Sequence, residues 1–185
     1  MTIRGVAALA AIVFAVATHA ASAQAQQPYA GLQTRPIKAL SDQQIADLKA
    51  GRGMGQALVA ELNGYPGPSH VLELAEPLGL SESQRAKVQE LFAAMKAETV
   101  PLGEKLLAQE SDLERLFASK MITEASLAAT MQAISAMQAA LRTAHLKYHL
   151  ATVQVLAPTQ TQRYAELRGY SSGTKTNQRH DAHQH

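Results

Sequence analysis

SESQRAKVQELFAAMKAETVPLGEKLLAQESDLERLFASKMITEASLAATMQAISAMQAALRTAHLKYHLATVQVL, residues 81–156, is the stretch that decides the fold. In its first half apolar side chains fall at Val88, Leu91, Met95, Leu102, Leu106, Leu113, Leu116 and Phe117. In its second half they fall at Leu127, Met131, Ile134, Met137, Leu141, Tyr148 and Leu156. Steps of three and four put each set on one face of a helix, and each face has to be buried. Between them Ala118-Ser119-Lys120-Met121-Ile122-Thr123 breaks the periodicity, and Thr123 is placed to cap the second helix. A short connection between two amphipathic helices makes them antiparallel neighbours. The expectation is an all-α fold: a long antiparallel helical hairpin with short flanking helices. Because a two-helix hairpin buries only one face of each helix, a homodimer is the natural way to cover the rest.

The hairpin seam carries chemistry as well as apolar groups. His145 is in register with Leu141 and Tyr148, and His149 lies one turn further on. Folding the hairpin about Lys120 brings Phe92 to Glu98 opposite His145 to His149. Met95 and Glu98, three apart on one face, are then the nearest soft or acidic side chains. His70 opens a short helix that has to fold back to this same end, because few residues separate it from Ser81. The candidate metal ligands are therefore His70, Met95, Glu98, His145 and His149. Imidazole with carboxylate or thioether suits a divalent transition metal (Zn, Ni, Co or Cu) rather than calcium. The competing reading is plainer: two helix histidines, one buried and hydrogen-bonded, Met95 as core filler and Glu98 as a surface acid paired with a lysine.

Composition limits the alternatives. The chain has no Cys, which excludes disulfides, thiolate metal sites and a Cys nucleophile. The net charge of +2, with acids and bases interleaved, sets no basic face aside for nucleic acid. There is no Gly-x-Ser-x-Gly elbow and no acid pair set for proton transfer, so an enzyme is not expected. Arg4 followed by an apolar run from Gly5 to Ala17 and then Ala21-Ser22-Ala23 reads as a cleavable signal peptide over 1–23. The apolar run is about a dozen residues, short of the roughly 20 needed to span a bilayer. Export to a periplasm, with no stable membrane insertion after cleavage, is the expected localisation.

Residues 24–68 read as an N-terminal extension with short helices. Ser41 and Gln44 form a capping-box pair ahead of a helix that runs to Gly51. Gly51-Arg52-Gly53-Met54-Gly55 lacks the strand and the third glycine of a dinucleotide loop, and reads instead as a helix break or a close approach of backbones. A short helix from Gln56 to about Leu62 and a turn at Asn63–Pro68 follow. The hairpin domain is expected over 69–169, with Ser69 capping a helix from His70 to Glu76. Ser81 and Gln84 cap the first long helix, and Pro101 is set to kink it. A last helix spans Gln160 to Arg168. Residues 170–185, polar and carrying His180, His183 and His185, read as a disordered His-containing tail, either solvated or weakly metal-collecting.

Leu40-Ser41-x-x-Gln44, Leu80-Ser81-x-x-Gln84 and Leu156-Ala157-x-x-Gln160 are three copies of one pattern. Around an exported helical hairpin they resemble the Leu-Thr-x-x-Gln motif of the Spy/CpxP-like periplasmic proteins. The departures are Ser at 41 and 81, and Ala at 157, which has no hydroxyl to cap with; Thr159 could cap in a shifted register. The resemblance covers roughly Leu80 to Gly169 and implies one of two functions. The first is metal binding, sensing or resistance, as in the CnrX-type sensor and the zinc-resistance-associated protein. The second is ATP-independent chaperoning of unfolded clients, or an adaptor role. It also implies that His70, His145 and His149 stand where the sensors bind metal, and that a membrane signalling partner is possible.

Overall fold

The structure, a computed structural model, describes residues 27–170. The leader expected over 1–23 and the tail beyond Tyr170 lie outside the described residues. The chain divides into two units, Met1–Gly31 and Leu32–His185, and the second carries the fold. After a 3-10 turn at Leu32–Thr34 come α1 (Asp42–Lys49), α2 (Leu58–Glu61), α3 (Pro68–Glu73), α4 (Glu82–Ala118), α5 (Glu124–Val153) and α6 (Pro158–Leu167). No strand occurs among the described residues. The all-helical expectation and the long hairpin are both observed, with α4 packed along α5.

Capping chemistry sets the helix starts. Ser41, Ser81 and Thr123 each accept from the backbone N–H three residues on, and the side chains of Gln44, Gln84 and Ser126 reach back to the capping N–H. α6 begins at Pro158 with Ala157 as its cap, so Thr159 does not shift the register. Ala157 has no side-chain acceptor, and only the Gln160 half of the box forms, at 2.9 Å. α3 also starts earlier than the sequence suggests. Gly67 is its cap and Pro68 its first residue, a position where the missing N–H costs nothing.

Two of the repeated glutamines then meet. Gln84 Nε2 donates to Gln160 Oε1 at 2.8 Å and Gln160 Nε2 donates to Gln84 Oε1 at 3.1 Å. Gln84 also donates to the Val155 carbonyl at 2.9 Å. The motif therefore fastens the start of α4 to the start of α6 at the open end of the hairpin, in addition to capping each helix.

The core is in two parts strung along α4 and α5. One holds Ile37, Leu48, Leu106, Leu107, Ile134 and Leu141. The other holds Val71, Leu78, Val88, Leu156 and Tyr164. α1 lies on α4, and Gly103 makes this possible, since a Cβ there would run into the Leu48 carbonyl. Gly51, with φ +62, ends the α1 segment where a Cβ would lie 2.6 Å from Thr99 Oγ1. Both the helix break and the close backbone approach expected of this glycine loop are present. α4 continues through Pro101, where the Ala97 carbonyl has no N–H to accept.

Candidate functional site

Between the two apolar clusters, both α4 and α5 present different chemistry. Met95 on α4 and His145 and His149 on α5 line a cleft of about 610 Å³. The 51–55 loop, the start of α3 with His70, and Arg168 close its other sides. Met95 is buried at 6% exposure yet belongs to neither apolar cluster. Its surroundings are the cleft.

His145 is 2% exposed, and its Nδ1 lies 2.9 Å from the Leu141 carbonyl. A carbonyl only accepts, so Nδ1 carries the proton and the lone pair of the neutral ring sits on Nε2. That Nε2 is buried without a hydrogen-bond partner. Gly53 passes close enough that a Cβ would lie 3.7 Å from the ring. His149 repeats the arrangement from the next turn, with Nδ1 donating to the Tyr65 carbonyl at 2.7 Å. Burial pushes its pKa below the ordinary 6.5, and the neighbouring His145 and His70 add to this. The Tyr65 carbonyl and Glu61 oppose the shift. Both rings are thus oriented as metal-binding histidines are, one nitrogen fixed on a backbone carbonyl and the other carrying a free lone pair.

Glu61 lies outside the expected ligand set. It is 7% exposed, and its Oε2 lies 3.7 Å from His149 Nδ1 and accepts from the Gly67 N–H at 3.1 Å. Oε1 accepts from the Tyr164 hydroxyl, with Arg168 Nε 4.0 Å away. Burial and this bond hold the Tyr164 phenol far above its usual range. Tyr164 is 103 positions further along the chain, so no local spacing marks the pair.

Of the expected ligands, His70, Met95, His145 and His149 line one cleft. His70 is half-exposed and its Nδ1 lies 3.1 Å from Glu73 Oε2. Glu98 is elsewhere, and its expected place opposite the histidines is corrected. It pairs with Lys147 at 2.5 Å, accepts from the Tyr148 hydroxyl at 3.1 Å and lines a separate groove. The Lys147 ammonium holds its carboxyl below the usual range. The plainer reading, a surface acid paired with a lysine, describes Glu98. Among the described residues no three of His, Cys, Asp and Glu are grouped closely enough to hold a metal ion. The donors gathered here are two imidazole nitrogens and a thioether.

A family model described as heavy-metal resistance matches residues 54–163, which is more than half of the chain. The chain belongs to the heavy-metal resistance family. The match starts inside the glycine loop and ends in α6, so it takes in Met54, His70, Met95, His145 and His149 but not the cleft residues 50–53, Arg168 and Tyr170. No curated protein and no solved structure matches the chain. No helix among the described residues is long and apolar enough to cross a membrane.

Proposed function

We propose that this heavy-metal resistance protein is an exported, periplasmic metal-binding protein of the Spy/CpxP-like type. It would serve heavy-metal sensing or resistance by holding the ion in the cleft and turning over no substrate. The observation that carries the reading is the paired orientation of His145 and His149. Each spends Nδ1 on a carbonyl, which leaves its lone pair on Nε2, both rings line the cleft, and His145 Nε2 has no protein partner in the interior. An unpaired buried acceptor costs about 1–3 kcal/mol, a cost that an incoming ion removes. Met95 supplies a further donor from α4, and half-exposed His70 stands at the rim.

The test is metal titration of the chain in a background where His180, His183 and His185 are replaced by Ala, so that the tail offers no imidazole. His145→Ala with His149→Ala is expected to abolish binding while helicity by circular dichroism is kept. Unchanged affinity in the double variant would place the site elsewhere. One observation favours the second reading, a client-binding chaperone: Phe117, Met121, Leu127 and Met131 are exposed around the hairpin turn. That reading expects ATP-independent suppression of aggregation with or without metal.

A further inference from the structure

We infer that the cleft is a soft-metal site for a monovalent ion, Cu(I) or its analogue Ag(I), and that Met54 is one of its ligands together with Met95, His145 and His149. The inference rests on the metal-binding reading above and specifies its ligand. Three observations support it.

The first concerns Met54 itself. It lies in the loop that closes the cleft, with φ 46, and is one of only two non-glycine residues with positive φ among the described residues. The other, Lys120, serves the hairpin turn. Left-handed backbone strains a side-chain-bearing residue, and glycine would be free of that strain. Its neighbours Gly53 and Gly55 are glycines already. Met54 holds that conformation on the cleft wall, 39% exposed and outside both apolar clusters.

The second is the donor inventory. The chain contains no Cys, so its soft ligands are all thioethers. Two methionines line this cleft, one from the loop and one, Met95, buried outside both apolar clusters. With two imidazole nitrogens they make a set of two nitrogens and two sulfurs, and thioether-rich sets select Cu(I) over the harder divalent ions.

The third is charge. The carboxylate nearest the histidines, Glu61, already accepts from Tyr164 and the Gly67 N–H and faces Arg168. The cleft wall also carries Arg52 and Lys96, and its other carboxylate, Glu73, lies at 3.1 Å from His70 Nδ1. All four proposed ligands are neutral. With three cations, Arg52, Lys96 and Arg168, against two carboxylates on that wall, a single positive charge is far less costly to bury than a double one.

The experiment uses the full chain with the three tail histidines replaced by Ala and methionine methyls labelled with 13C. Cu(I), held in an anaerobic chelator buffer, and Ag(I) are titrated alongside Zn(II), Ni(II) and Co(II). The expected result is that Ag(I) and Cu(I) shift the Met54 and Met95 methyl signals and leave those of Met121 and Met131 in place. Met54→Leu with Met95→Leu is expected to lower Cu(I) affinity by at least about tenfold, since outer-sphere partners alone are worth roughly 10–100-fold. It should leave any Zn(II) affinity within about twofold, because zinc prefers nitrogen and oxygen donors here. Divalent ions bound through His145 and His149 with both methyl signals unmoved by Cu(I) would overturn this inference and leave the metal-binding reading standing. No metal bound through the histidines at all would overturn both.

Discussion

At the scale of single residues, the two cleft histidines are decided by what their Nδ1 atoms touch. A backbone carbonyl accepts a hydrogen bond and never donates one, so Leu141 and Tyr65 fix the tautomer of His145 and His149. For His149 burial also lowers the folded-state pKa below 6.5. The unfolded chain then binds the proton more readily than the folded one. The stability His149 contributes is fully present above pH 6.5 and declines as the pH falls from there toward the lowered folded value. Metal binding meets only the folded-state proton. The expected outcome is an affinity that holds to a lower pH than a solvent-exposed His pair would allow, while thermal stability of the metal-free chain begins to decline near pH 6.5. Titrations and melting curves between about pH 7.5 and about pH 5, which bracket the ordinary imidazole value, check both.

The elements show which links in the chain were legible beforehand. Periodicity, Thr123 and the Ser81–Gln84 pair marked the hairpin, because each is a local signal with a local cause. The register that sets Met95 near His145 followed from counting out from Lys120. What escaped is non-local. Glu61 meets Tyr164 across 103 positions, and Glu98 turned to Lys147 because the register placed an ammonium on that flank. α3 starts at Pro68 and not after Ser69, because a Gly67-Pro68 start needs no side-chain cap. The clasp between Gln84 and Gln160 gives a prediction at this scale. Gln44→Ala removes a single exposed cap and is expected to cost about 1 kcal/mol. Gln84→Ala also leaves the Val155 carbonyl and Gln160 short of partners, and is expected to cost about 2–3 kcal/mol in urea unfolding. Gly103→Ala sets two effects against each other. Helix propensity favours Ala by about 1 kcal/mol, but the new Cβ meets the Leu48 carbonyl, a backbone atom that cannot swing away. Overpacking should win, with a net loss of about 1–3 kcal/mol in the same measurement and α1 loosened from α4.

For the whole molecule, one face of the hairpin remains open. Phe117, Met121, Leu127 and Met131 cluster near the turn with exposures from 37% to 72%. A second copy of the chain is the expected cover, and sedimentation at micromolar concentration is expected to give a dimer that Met121→Glu with Met131→Glu converts to monomer. Unaltered mass in that variant would count against this surface. A 37-residue helix is about 55 Å long, and Pro101 divides α4 between the cleft and this turn. Roughly 25 Å of α4 lies beyond the proline, where the ladder lacks a rung. The geometry is that of a lever pivoted near its middle. A change of bend of about 5° at Pro101, smaller than an ordinary helix kink, sweeps the turn through about 2 Å. An ion settling between Met95 and His145 would act about 9 Å from that pivot, and whatever docks at the turn would feel the motion about 25 Å from it.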